Sequence, residues 1–469
     1  MKRAVIAGVG GLLVAGAAGL LHVHAQPPSP SRELRELTGA RTRIVWCAQV
    51  EGDGSDSAAA GNQLRLMGLD TDDGRGARPI LDAVGNYRKP LISPRGDRVV
   101  YTDFPRARIC AVNWDGAGAR TLADGFALDV WRDPASGREW VYALDARTLD
   151  ADNHGKSVVR FLLDQPETRE KVWDATLTDL DNFQVSADGA RAAALFPWPA
   201  AGIADLRAGT WQELGRGCWP GLAPDNSGRM WIFDGAHRNL LVHSTADGRS
   251  WKVRINGAPG LENTEVYHPR WSNHPRFLAL TGPYKVGSGE NRIRAGGPEV
   301  EVYAGRFDPG LERIEKWVRV TQNQCADFFP DLWIEPSAPG AAPSPATPAA
   351  RAEAGTPSAA SRRLIVEARL AEITPTPSLR SIAPYTNALV VYSYTPERVV
   401  AGEYREPSVL VAHWGLRNSR PVPIPRKKGD LYRLVLEPMD SRKELEGERL
   451  VMDVSDIDRI IYYEVPPEK

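Results

Sequence analysis

Five stretches of this chain share one grammar: an opening led by Pro or Asp, a short apolar strand, a polar turn, a second apolar strand, and a third strand ending in an acidic-Gly hairpin. They recur at a period of roughly forty to fifty residues, which marks a repeat whose unit cannot bury its apolar face alone. The clearest copy runs Pro90-Leu91-Ile92-Ser93-Pro94-Arg95-Gly96-Asp97-Arg98-Val99-Val100-Tyr101. It continues as Arg108-Ile109-Cys110-Ala111-Val112-Asn113-Trp114-Asp115-Gly116 and Arg120-Thr121-Leu122, giving four antiparallel strands, A to D. Hairpins between C and D are expected at Asp72-Asp73-Gly74, Trp114-Asp115-Gly116, Ala246-Asp247-Gly248 and Asp308-Pro309-Gly310, because tight reversals need Gly, Asp, Asn or Pro.

Strand A is expected to start near Tyr87, Val130, Phe183, Trp219 and Tyr267, and a sixth unit starts at Cys325-Ala326-Asp327-Phe328-Phe329-Pro330-Asp331-Leu332-Trp333-Ile334. That last unit has only strand A. Its missing strands lie at the other end of the chain: Arg43 to Cys47 reads as B, Gln63 to Met67 as C and Arg78 to Leu81 as D. Pairing the two ends inside one unit removes the open edges of a linear array. The expected fold is all-β: a β-propeller of about six blades over residues 43–336, closed by N- and C-terminal strands.

Ser93-Pro94-Arg95-Gly96 resembles the first turn of the TolB-type propeller blade, usually Ser-Pro-Asp-Gly, with Arg95 in place of the usual Asp. Val185-Ser186-Ala187-Asp188-Gly189, Leu222-Ala223-Pro224-Asp225-Asn226 and Pro269-Arg270-Trp271-Ser272-Asn273 fit less closely. The resemblance implies a fold, not a ligand.

In a propeller, D-to-A connections and B-to-C loops emerge on one face. The longest B-to-C loops, Glu51–Gly61, Ala146–Lys156 and Thr281–Pro298, would therefore surround Asn86, Tyr87, Arg88, Trp131, Arg132, Asp181, Asn182, Trp219, Tyr267, His268 and Asp327. Loops on a rigid scaffold are where binding concentrates. In the polar-aromatic cluster Tyr267 to His274, His268 or Arg270 would point into the axial channel, unless the histidines cap turns and Trp271 fills the core between blades.

Residues 337–361 are almost only Pro, Ala, Gly, Ser and Thr, a linker composition that buries too little apolar area to offset its ordering entropy. Beyond it, Leu364–Leu370, Ala388–Tyr394, Val409–Trp414 and Leu431–Leu436 alternate with period two. About five strands in residues 362–469 make a small barrel or sandwich. The run Val399–Tyr404, Val409–Trp414 and Gly429–Tyr432 resembles OB-like barrels of the netrin and metalloproteinase-inhibitor kind.

Met1-Lys2-Arg3, the uncharged run Ala4–Leu21 and Val23-His24-Ala25 have the layout of a cleaved leader, residues 1–25, followed by a lead-in over 26–42. Export to the periplasm or exterior is the expectation, with no integral membrane segment after processing. Without Lys2 and Arg3, 56 basic residues face 59 acidic ones, a charge near −3 that excludes phosphate-backbone binding and so nucleic acid. Cys47, Cys110, Cys218 and Cys325 are in no metal-ligand spacing; they read as disulfide staples, with Cys47 and Cys325 nearest to a pair, or as buried thiols.

No cofactor or metal motif is present. Gly155-Lys156-Ser157 lacks the Gly of a phosphate loop, which is Asp150 here, and neither Gly-x-Ser-x-Gly nor His-Glu-x-x-His occurs. Thr245-Ala246-Asp247-Gly248-Arg249-Ser250-Trp251 resembles the sialidase Asp-box, a structural motif, one residue short. Two function classes follow. The first is a non-catalytic binding or scaffold protein whose loop-rich face grips a protein or polysaccharide of the cell envelope. The second is a carbohydrate-active enzyme using acids such as Asp133, Asp181, Glu265 or Asp327 at the channel mouth; a glycosidase needs two such carboxylates facing each other.

Overall fold

The computed structural model describes residues 29–50, 63–150, 154–180, 182–284, 297–336, 363–455, 457 and 459–465. Six four-stranded antiparallel sheets form the propeller. Blade 1 takes strand A from Asp327–Ile334 and B to D from Thr42–Gln49, Leu64–Asp70 and Arg78–Gly85. The closing register runs from Thr42 opposite Ile334 to Ala48 opposite Asp327, so the two ends close the ring as the repeat requires.

Strand A of blades 2, 4, 5 and 6 begins at Tyr87, Phe183, Cys218 and Glu265. Blade 3 is the exception. Its first strand is Phe126–Arg132, starting directly after Gly125, whose φ of +133° turns the chain. Val130, Trp131 and Arg132 therefore lie at the far end of that strand, not at its start.

Indole rings join the blades. Trp333 of blade 1 covers Gly96 and Trp131 of blade 3 covers Gly189, and a Cβ on either glycine would lie 2.6 or 2.5 Å from the ring. Both glycines are left-handed, φ +79° and +70°, as the turn demands. Trp231 and Trp271 stack 3.8 Å apart between blades 5 and 6.

The lead-in contains an unexpected helix, Pro30–Thr38, capped by the Ser29 side chain and ended by left-handed Gly39. Its Leu34 and Leu37 are buried with Ile44, Trp46, Ala304 and Val318, so it seals the seam between blades 6 and 1.

The second domain is a closed barrel of Leu364–Glu372, Ala388–Ala401, Val409–Arg417, Leu431–Pro438 and Ile461–Glu464. In order of appearance these five pair as 1-2-3-5-4 and back to 1, and the third and fifth run parallel. Arg449–Met452 adds a parallel strand on the second. The barrel is not merely tethered: it docks on the loop-bearing face of blades 4 to 6, where the Leu450 N–H donates to Gly235 O and the Arg238 guanidinium donates to Ile457 O.

All four cysteines are free thiols. Cys47 is opposite Phe328, three residues past Cys325, which sets that pair out of register, and its Sγ donates instead to Tyr87 O at 3.2 Å.

Candidate functional site

In four of the six blades the inner strand is broken at a residue followed by proline. Lys89, Trp219, His268 and Phe329 have φ of 45°, 47°, 54° and 53°, each preceding Pro90, Pro220, Pro269 or Pro330. The right-handed helical region is disfavoured for a residue before proline, and left-handed geometry is costly outside glycine. The pairing with strand B slips at the same points, between Arg88 and Leu91, Cys218 and Gly221, and Tyr267 and Arg270.

These bulges bring the four side chains together across the ring. Lys89 Nζ lies 5.2 Å from the Trp219 ring, Trp219 is 5.0 Å from His268, and His268 is 4.2 Å from Phe329. Lys89 also donates to Leu180 O and His268 Nδ1 bonds Thr281 Oγ1 at 3.0 Å. Trp219 and His268, expected on the binding face, instead form part of an axial plug and are buried. Tyr267 packs beside them, 5.6 Å from Trp219 and 5.1 Å from His237.

The barrel covers the face next to this plug. Arg449 Nη2 donates to both carboxylate oxygens of Glu265 at 2.7 Å, while its Nη1 donates to Gly235 O and Leu450 O. Burial raises the Glu265 pKa, but the Arg449 charge and the His237 hydrogen bond outweigh it and hold the carboxyl at about 2. His237 is kept below its ordinary value by burial and by Arg449. Neutral, it donates from Nδ1 to Glu265 at 3.2 Å and accepts at Nε2 from the Tyr385 hydroxyl, which in turn lies 3.3 Å from Cys218 Sγ. A relay of four propeller and barrel side chains thus ends in one ion pair. Glu265 is spent on holding the domains together.

Asp327 is also fully buried. It accepts from Trp46 Nε1 and Asn323 Nδ2, both at 2.9 Å, and burial together with the charge of Glu301 raises its pKa to about 7. Glu301 takes Arg319 and the Asn323 N–H on one oxygen, and its other oxygen, Oε2, is buried without a hydrogen-bond partner among the described residues.

At the opposite end of the channel, Arg270 bridges Asp331 at 2.6 Å and Asp129 at 3.0 Å. The same carboxylates accept the backbone N–H groups of Ile92 and Val185, so this network ties blades 1, 2, 3, 4 and 6 across the axis. Burial raises Asp129 to about 6 against the pull of Arg270. A cavity of about 230 Å³ opens here, and Trp131 and Arg132 line it. Asp133 lies beyond it in the A-to-B turn, held by Ser136 Oγ at 2.5 Å.

The expected site is therefore divided. Tyr87, Arg88, Asn86 and Asn182 stay at the loop-bearing end of blades 2 and 4, with Arg88 3.5 Å over the Phe104 ring. Trp131 and Arg132 belong to the other end, because blade 3 begins earlier than its sequence suggests. Asp181, residues 51–61 and most of the third long loop lie outside the described residues. Sequence reasoning missed Arg449, His237 and Tyr385, whose roles come from contacts between distant segments; it also missed the repeated residue-Pro step in strand A, which was visible as Lys89-Pro90, Trp219-Pro220, His268-Pro269 and Phe329-Pro330.

No family model and no curated protein matches the chain. Among solved structures it is similar to a chain of a nidogen/laminin complex, with 12% identity, a TM-score of 0.40, and coverage of 62% of this chain and 98% of that one. It is also similar to an oligogalacturonate lyase in complex with manganese, with 15% identity, a TM-score of 0.26, and coverage of 36% and 50%. The class of this protein, a six-bladed propeller carrying a docked five-stranded barrel, rests on its own sheet order.

Proposed function

We propose that this is an exported, non-catalytic binding or scaffold protein, with a TolB-type propeller and an OB-type barrel, whose partner is a protein or polysaccharide of the cell envelope. The observation that carries the reading is the fixed seat of the barrel over blades 4 to 6 through Arg449 and Glu265. With that arc covered and the channel plugged, blades 1 to 3 are left to present the half-buried Arg88 and their loops to a partner, while Asn86 and Tyr87 beside it are buried. The carboxylates considered for hydrolysis are engaged separately: Glu265 with Arg449, Asp327 with Trp46 and Asn323, and Asp133 at the other end. Export is supported by the leader-like residues 1–25, and among the described residues no helix is long and apolar enough to cross a membrane.

The test is a screen of the full chain against envelope glycans and envelope protein extracts, reading both binding and hydrolysis. Saturable binding without turnover, weakened by Arg88→Glu, supports the reading. Turnover lost in Asp327→Asn or Asp133→Asn would replace it with a carbohydrate-active enzyme.

A further inference from the structure

Between blade 5 and the barrel segment 439–461 lies a cleft of about 530 Å³, larger than the channel cavity. Its two walls come from different domains, and a volume of this size at a domain junction is the usual setting of a small-molecule site. The floor is fixed by hydrogen bonds across the junction: Arg238 donates to Ile457 O and Leu450 N–H to Gly235 O. Near the surface, Lys252 and Asp440 bridge the walls at 2.6 Å.

The lining has two chemistries. Apolar surface is supplied by Leu241, Leu445, Leu450 and Ile461, and by Ile460, which is 65% exposed and the most exposed large apolar side chain among the described residues. An isoleucine left in water beside a cleft adds nothing to folding, and covering it would be favourable by the usual apolar transfer. The charged lining is six cations to four carboxylates. Both signs are partly committed: Asp440 to Lys252, Asp234 to the N–H groups of Arg238 and Asn239 and to the Asn239 amide, Arg442 to Glu437 and Glu444, and Arg459 to Glu406. Glu446 lies within reach of the charges of Lys443 and Lys252. Lys443 is exposed at the rim, and its charge also reaches His243 inside.

We propose that this cleft binds a small amphiphilic anion, an acyl or aryl carboxylate, with its apolar part against Ile460 and Leu445 and its carboxylate toward Lys443 and Arg254. The site lies at the seat of the barrel on blade 5, apart from the arc of blades 1 to 3 proposed to meet a partner, and goes beyond that binding role.

The probe is decanoate, titrated calorimetrically into the full chain below its micellar concentration, with decylamine as the charge-reversed control. A single saturable site for decanoate is expected, with decylamine much weaker. Ile460→Asp should weaken decanoate about tenfold or more, since it removes the burial of one large aliphatic side chain. Lys443→Glu should weaken it about threefold, the scale of an exposed charge contact. Both positions are exposed, so circular dichroism should stay unchanged, and Ile460→Leu should restore binding. Absence of saturable binding, affinities unmoved by both variants, or decylamine binding as tightly as decanoate would each overturn the site.

Discussion

Arg449 and Glu265 are the only link between the two domains in which a guanidinium grips both oxygens of a carboxylate, with Arg449 fully buried and Glu265 nearly so among the described residues. Removing one partner leaves the other as an uncompensated buried charge, a loss of about 3–5 kcal/mol. Arg449→Met should therefore lower the unfolding free energy by about that much and make residues near Gly235 accessible to limited proteolysis. The double variant Arg449→Met with Glu265→Leu should recover part of the loss. If Arg449→Met unfolds with the midpoint of the parent chain, the pair does not hold the domains.

The same pair sets an acid limb. Glu265 is held at about 2 in the folded chain, below its ordinary value of 4.5. The unfolded chain therefore takes up the proton first as pH falls, and the stability that Glu265 supplies is complete above the ordinary carboxylate range and is lost from there down to about pH 2. Asp327 has the opposite sign. Its folded value of about 7 exceeds its ordinary 3.8, so the folded chain holds the extra proton between these limits and stability falls as pH rises through that window. Asp327→Asn should flatten the slope between about pH 4 and 7 while leaving the acid limb in place. Urea midpoints measured across pH for both proteins check this, and parallel curves would show that Asp327 is ionised throughout.

Why the fold could be read and the site only in part follows from the range of the contacts. The hairpins at Gly74, Gly116 and Gly248 and the turn at Gly96 are local, because a positive φ must be met by the residue itself. Ring closure was legible because Phe328 to Ile334 lacks three strands that Arg43 to Leu81 supplies. Blade 3 misled because Phe126-Ala127-Leu128 is as apolar as a strand interior and Gly125 gives little warning that it is the turn. The seat of the barrel had no local sign at all: Glu265 and Arg449 are 184 residues apart. The free thiols show the same limit, since a three-residue offset in strand pairing decides whether Cys47 meets Cys325.

Gly96 tests whether the turn that resembles the TolB-type blade is held between blades. A side chain there must adopt φ of +79° and displace the Trp333 ring, whose Nε1 donates to Pro94 O. Gly96→Ala should destabilise by about 2 kcal/mol or more, combining the left-handed cost with a shifted indole. Gly248→Ala has a similar φ of +70° but open space around it, so it should lose only the backbone part, about 1 kcal/mol. Equal losses at the two positions would mean that the Trp333 contact contributes nothing.

Two deletions separate closure from docking. Removing Cys325 to Glu335 takes away strand A of blade 1, which pairs with Thr42 to Ala48, buries Phe328 and Trp333, and supplies Asp331 to the Arg270 network. No other segment can fill that position, and blade 1 would expose strand B as an open edge. The ring should lose its cooperative transition. Truncation after Pro336 leaves every blade complete but strips Tyr385 from Cys218 and His237 and Arg449 from Glu265. That protein should keep a cooperative transition, with a lowered midpoint and with Glu265 returning toward an ordinary carboxylate pKa. Calorimetry of the two should give a sharp peak for the truncation and none for the internal deletion. A sharp peak in both would show that the ring does not depend on its carboxy-terminal strand, and no peak in the truncation would show that the propeller folds only with the barrel in place.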